Sequence, residues 1–437
     1  MVAQAADARV RSGGGSGAME SAYRRGNRRA AEDAYCTTSN PLGIIGLGLA
    51  ENGVAYGAGG WGDAIGASTL RLAESGALVA ARARYPSWQG LPGLRQGLAR
   101  LMARVGVTGP DGAGPEPDDL VVFCGATSAI EAVALALCAP GDGVLIPAPY
   151  YASFDVDLGL RAQCVPVPVP SGPDRGWRAP GADALNAAYA EATRRTGRPP
   201  PVLLICSPNN PTGLQYTAAE LDALCVWAVG RGMHVVSDEV YAGTEEADGP
   251  GGLGRFTSAA AVQGTAAREA IHVVYGMSKV AGIPGMRAAC VWSRNAGVRE
   301  ALSAAARFAS LPTDAQLVLA DVLGDDSTVA GLVAASRQAL CARRRDALDA
   351  IRGFLEGRGV PCVPADSGIF LWARLADGHD SELALFEDLL SESKVCITPG
   401  HAFHSPEPGW FRICFAAGDD EETRLGLTRL GGALCAR

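Results

Sequence analysis

The chain has 437 residues, 48% of them hydrophobic and 19% charged, a balance that supports one large buried core or two smaller ones. A formal net charge of −8 argues against nucleic-acid binding, which favours basic surfaces. No uninterrupted apolar stretch is long enough to span a bilayer and the first residues lack a secretory apolar segment, so no membrane partner and a cytoplasmic location are expected.

Residues 1–35 are rich in Gly, Ala, Ser and Arg and are expected to form a mostly disordered or loosely docked tail, with the basic cluster at Arg24, Arg25, Arg28 and Arg29 solvated in it. Short apolar runs then alternate with helical segments at 120–124, 143–147, 202–206, 234–237, 271–275 and 288–292. Continuous apolar strands separated by helices predict an α/β fold with a mostly parallel sheet between helices. After Leu311 the pattern becomes helical over 315–350, with later strands at 368–372 and 410–415. That change predicts a smaller C-terminal α+β domain over 316–437, a large domain over 71–315, and a segment 36–70 that joins the small domain. Pro- and Gly-rich stretches at 172–180 and 247–254 read as surface loops. The twelve cysteines show neither C-x-x-C pairs nor metal-ligand spacing, so buried free thiols and no metal are expected.

Only two of the 38 basic residues are lysines, Lys279 and Lys394. A lysine amine can lose its proton and attack a carbonyl, whereas arginine stays protonated. Lys279 is therefore a candidate Schiff-base lysine, and three other pieces suit the same cofactor, pyridoxal 5′-phosphate. Ala126, Thr127 and Ser128 follow a strand and Gly125 and open a helix, where backbone N–H groups and hydroxyls hold phosphate. Taken alone, this is also an ordinary helix cap. Asn210, in Ser-Pro-Asn-Asn-Pro-Thr-Gly, ends a strand and could donate to a phenolate oxygen, although the same residues make turns. Asp238 ends another strand, where its carboxylate suits a protonated ring nitrogen, and Tyr241 three residues on could share the phenolate with Asn210. Ser278 and Lys279 are followed by Arg287, whose guanidinium could grip the phosphate in two-pronged fashion. Each piece has a bland reading; their order in one chain favours the cofactor.

These pieces resemble a fold-type I pyridoxal-phosphate enzyme of the aminotransferase superfamily. More narrowly, the chain resembles 1-aminocyclopropane-1-carboxylate (ACC) synthase. The narrower likeness rests on Asn40-Pro-Leu-Gly-Ile-Ile-Gly-Leu-Gly-Leu-Ala-Glu51-Asn52, Gly90-Leu-Pro-Gly-Leu-Arg95, Pro149-Tyr150-Tyr151-Ala-Ser-Phe-Asp155-Val-Asp157 and Phe403-His-Ser-Pro-Glu-Pro-Gly-Trp-Phe-Arg412. The resemblance implies a seven-stranded-type sheet in the large domain and a homodimer with active sites at the interface. It implies that Tyr151, with Tyr150 as the alternative, lies on the cofactor ring, and that Tyr85 crosses to the partner's cofactor. It further implies that Arg412 binds the substrate carboxylate and that Glu51 faces the substrate side chain.

The implied reaction is Cα deprotonation of S-adenosylmethionine (SAM) by Lys279, with loss of methylthioadenosine from Cγ. Three alternatives stand beside it. A SAM-derived vinylglycine quinonoid could be captured by a second small-molecule substrate, or the chain could be an ordinary amino-acid aminotransferase. The third, a regulatory or binding protein of this fold without turnover, is opposed by the joint presence of Lys279, Asp238 and Arg412. Three positions depart from the family's pattern. Gly276 stands where the family has a phosphate-touching Ser, Val280 where it has Asp, and Trp88 where it has Tyr.

Overall fold

The computed structural model describes residues 21–57, 59–83, 85–246, 256–355 and 361–435. The expected loop at 247–254 and residues 1–20 of the expected tail lie outside these. The strands are β1 (Ile45–Gly46), β2 (Leu120–Cys124), β3 (Gly143–Ala148), β4 (Val165–Pro170), β5 (Val202–Cys206), β6 (His234–Asp238), β7 (Ile271–Gly276) and β8 (Ala288–Ser293). After them come β9 (Phe370–Arg374), β10 (Val395–Cys396), β11 (Thr398–Pro399) and β12 (Trp410–Cys414).

β2 to β8 form one seven-stranded sheet in the order β2-β8-β7-β6-β5-β3-β4. Every neighbouring pair is parallel except those made by β8, which runs antiparallel to β2 and β7. The strands read as apolar runs because both faces are covered. Val121, Phe123, Ile146, Leu204, Val236 and Val274 pack on one side. Residues one step away along the same strands, Leu120, Val122 and Val273, pack on the other. Six of these strands follow the apolar pattern of the sequence. β4 does not, because Val-Pro-Val-Pro-Val-Pro looks like a broken strand. It pairs with β3 alone, at the sheet edge. Alternation leaves the valine N–H groups for β3 and turns the prolines, which have none, to the open side.

The described part of the expected tail is docked and helical rather than disordered. Ala22–Glu32 is a helix, capped by Ser21, which accepts from the Arg24 N–H. Arg25 and Arg29 both donate to Glu387 on the helix His379–Ser391. Gly26 is buried against that helix and β10, where an added Cβ would lie 3.2 Å from the Phe386 ring and 3.1 Å from Cys396 Sγ. The arginines hide the helix in the composition, since its docked face is Ala22 and Gly26 and its charges pair at the rim.

β1 pairs in parallel with β10, Ile45 opposite Val395, which ties the N-terminal segment to the later strands. β11-β12-β9 form an antiparallel sheet, with Arg412 at its centre opposite Thr398 and Trp372. The helices Asp326–Leu355, His379–Ser391 and Asp420–Cys435 pack around these strands. The position 315/316 falls inside the helix Thr313–Gly324, whose main contacts are with the helix Pro92–Arg104. Among the described residues, no helix is long and apolar enough to cross a membrane.

Candidate active site

Parallel strands leave a crevice at their C-terminal ends, and helix N-termini open into it. β5, β6 and β7 end there at Cys206, Asp238 and Gly276. A cavity of about 130 Å³ lies at this edge, lined among others by Thr127, Tyr151, Asp238, Tyr241, Lys279 and Arg287. Ala126, Asn210 and Ser278 also line it. Most residues singled out from four separate stretches of sequence therefore meet in one place.

One end of the cavity suits a phosphate. Ala126 and Thr127 open the helix Ala126–Leu137 with free N–H groups at its positive end. Gly125 precedes them at φ +88°, and a Cβ there would lie 2.3 Å from Arg287 Nη2. The glycine is thus required twice, by its backbone and by the space the guanidinium fills. Arg287 is itself left-handed, at φ +52°, and Nη1 donates to the Pro284 carbonyl. Ser128 is the exception among the expected phosphate residues. Its hydroxyl donates to the Cys124 carbonyl at 2.9 Å, a bond back to the preceding turn, and it does not line the cavity.

At another wall stands Asp238. Its Oδ1 accepts from the Val240 N–H at 3.3 Å, and burial pushes the carboxyl up to about 7. A cation beside it would hold it ionised. Tyr241 and Asn210 meet as expected, with Asn210 Nδ2 3.3 Å from the Tyr241 hydroxyl. Of the tyrosine pair, Tyr151 lines the cavity. Tyr150 is turned away: its hydroxyl donates to Asp155 Oδ1 and its ring stacks on His404 at 4.6 Å.

Lys279 is half-buried between these ends. Burial lowers its ammonium to about 8, the Arg412 charge acts in the same sense, and Glu51 and Asp238 oppose it. Nζ donates to the Ala50 carbonyl at 2.5 Å, and the Lys279 carbonyl accepts from Asn52 Nδ2 at 2.6 Å. The segment Ala50–Asn52 thus holds the lysine at both ends of the residue. Glu51, between those contacts, has an exposed side chain.

Arg412 is buried, with Nη1 on Asn210 Oδ1 at 2.9 Å and Nη2 on the Gly48 carbonyl at 2.5 Å. Its Nε has no partner, and the rings of Phe403, Phe370 and Tyr23 surround the guanidinium. Tyr85 is not brought to this cavity. It is 89% exposed and rests against Trp88 at 5.9 Å. Among the lining or neighbouring residues with no role from sequence are Asp157, Cys206 and Tyr23. Asp157 had a signal, an acidic residue at the end of the Tyr-Tyr motif. Tyr23 lay in the supposed tail.

A dianion cradle, a half-buried lysine with a depressed ammonium, and a buried carboxyl able to meet a ring cation fit pyridoxal phosphate. Fold and site together define a fold-type I pyridoxal-phosphate-dependent enzyme. The chain belongs to the family of class I and II aminotransferases, whose model matches residues 62–430. A curated relative, 1-aminocyclopropane-1-carboxylate synthase 1 of Oryza sativa subsp. indica, is 33% identical across 96% of this chain and 87% of its own length. A probable aminotransferase of Arabidopsis thaliana, ACS12, is 32% identical across 94% of this chain and 82% of its own. The fold also matches a mutant aspartate aminotransferase of Thermus thermophilus with a TM-score of 0.76, at 24% identity over 96% of this chain and 99% of that one. The chain is an ACC synthase-like or aminotransferase-type enzyme, a lyase or transferase that depends on pyridoxal phosphate.

Proposed function

We propose that the enzyme acts on SAM, removing its Cα proton and releasing methylthioadenosine from Cγ, as an ACC synthase does. The observation that carries this reading is that the segment holding Glu51 is bonded to Lys279 on both sides of the glutamate. Its backbone neighbours, Ala50 and Asn52, bond to Lys279, while its own carboxylate is exposed and acts on the Lys279 charge. A carboxylate there suits a substrate whose side chain bears a sulfonium. The identity to an ACC synthase across most of both chains supports the same assignment.

Ala126, Thr127, Ser278 and Arg287 would hold the cofactor's phosphate, Asn210 and Tyr241 its phenolate oxygen, Asp238 its ring nitrogen and Tyr151 one ring face. Bound pyridoxal phosphate supplies an aldehyde that condenses with amines and a ring that accepts electron density from Cα. Arg412 takes the substrate carboxylate in a charge-assisted pair, which fixes Cα relative to Lys279. Lys279 Nζ, neutral in a substantial fraction near pH 8, removes the Cα proton. The electron pair released from the Cα–H bond displaces methylthioadenosine at Cγ. Closure of Cα onto Cγ gives the three-membered ring. Exposed Tyr85, Phe308, Leu70 and Val79 leave apolar surface that a second copy of the chain would cover, so we place the enzyme as a homodimer.

Incubation of the loaded enzyme with SAM, followed by mass analysis, tests the reading. Methylthioadenosine with ACC is the expected result. Methylthioadenosine that forms only with a co-substrate assigns capture by a second small molecule instead. A second reading, aminotransfer, is favoured by the likeness to the Arabidopsis aminotransferase. Conversion of the cofactor to its amine form by common amino acids, with SAM inert, would replace the proposal with it.

A further inference from the structure

Asp157 lines the cavity but holds no role in the assignment above. It lies on the short helix Phe154–Gly159, just beyond the segment that carries Tyr151. The residue is 7% exposed, and its Oδ2 has no hydrogen-bond partner. An unpartnered buried carboxylate is strongly disfavoured, whereas a neutral carboxyl tolerates the site and has an O–H to give. The charges around it point the same way. Burial comes first, then Asp238 of β6 and Glu131 of the helix Ala126–Leu137, and together they push the carboxyl up to about 7. Arg24 of the N-terminal helix opposes them from an exposed position. Asp157 and Asp238 therefore line one cavity, and two neighbouring carboxyls of low accessibility do not both ionise readily when one cation is present.

We propose that Asp157 is a positioning residue for Asp238. In the loaded site it stays protonated and donates its O–H toward the Asp238 carboxylate, directly or through one water. Asp238 is then left ionised and oriented for the cofactor's ring nitrogen. The arrangement divides the labour between two carboxyls, one that carries the charge and one that carries the proton. This rests on the assignment of Asp238 made above and is independent of which substrate the enzyme takes.

The test is the pH titration of the bound cofactor's visible absorption band, measured with the cofactor dissociation constant, in the wild type, Asp157→Asn, Asp157→Leu and Asp238→Asn. Loss of the donor in Asp157→Leu is expected to weaken cofactor binding about tenfold and to raise the titration midpoint by about one unit. Asp157→Asn keeps an N–H donor and is expected to hold both values within about twofold of the wild type. A purely structural role would make the two variants alike, so equal impairment overturns the proposal, as does wild-type behaviour of Asp157→Leu. Asp157→Ala makes the same comparison if leucine disturbs folding. Unchanged behaviour of Asp238→Asn would overturn the underlying assignment, an outcome distinct from failure at Asp157.

Discussion

Arg412 and Asn210 are joined by a buried hydrogen bond, Nη1 to Oδ1 at 2.9 Å. One stands on β12 and the other follows β5, so the bond links the small antiparallel sheet to the cofactor crevice of the large one. The same amide reaches the Tyr241 hydroxyl through Nδ2. Substrate carboxylate and cofactor phenolate would therefore be read by neighbouring groups of one short chain of hydrogen bonds.

Arg412→Lys should separate these functions. The lysine keeps a positive charge but loses the planar fork that bonds Asn210 and the Gly48 carbonyl together. KM for the amino-acid substrate is expected to rise by about two orders of magnitude, in line with 2–5 kcal/mol for breaking a buried charge-assisted pair. The cofactor's absorption band should persist, because the cofactor's own contacts remain. Steady-state kinetics with a spectrum of each preparation checks both halves.

The Lys279 ammonium is lowered to about 8 by burial in the cofactor-free protein, and once substrate frees the amine it is expected to govern the pH dependence. Below that value the amine is protonated and cannot accept the Cα proton. The rate should climb about tenfold per unit as pH rises toward 8, then level. Stability of the cofactor-free protein follows the same group. The unfolded chain holds this proton up to about 10.5, the folded chain only to about 8, so stability rises with pH between those values, by at most about 1.4 kcal/mol per unit. Lys279→Met should lose both that rise and the visible band, whereas Lys394→Met should keep both, since Lys394 pairs with Asp33 at 2.9 Å.

Much of this site was legible because its chemistry imposes residue types. A Schiff-base amine would have to be a lysine, which singles out Lys279, and a carboxylate at the end of an apolar strand singles out Asp238. The sheet was legible where both faces are buried, as in β5, and not where geometry replaces apolar character, as in the proline-spaced edge strand β4. Ser128 illustrates another limit. Residue type placed its hydroxyl at the phosphate, but rotamer and turn gave it to the Cys124 carbonyl. Asp157 and the docked helix Ala22–Glu32 depend on long-range partners, Asp238 and Glu387, that local sequence does not display.

Gly125→Ala probes the phosphate end. The new methyl would sit 2.3 Å from Arg287 Nη2 on a backbone at φ +88°. Arg287 must move or the turn must open. Cofactor affinity should fall at least tenfold, and the cofactor-free fold should lose about 1–3 kcal/mol for strain at a left-handed position. Cofactor titration and thermal melting measure the two effects. An unchanged affinity would show that the guanidinium takes no part in holding phosphate.

Tyr85 offers a test of assembly. At 89% exposed it touches little of its own chain beyond Trp88, so in a monomer Tyr85→Ala should be nearly silent. In a homodimer where it reaches the partner's cofactor, the substitution should weaken cofactor binding and cut turnover about tenfold. Mixed subunits decide between these. Refolding Tyr85→Ala together with Lys279→Ala yields dimers in which one site combines Lys279 from the first chain with Tyr85 from the second. About a quarter of all sites in an equal mixture are then intact, and activity should return to that fraction. Mixed protein that is no more active than the average of its parents would show that Tyr85 does not act across the interface.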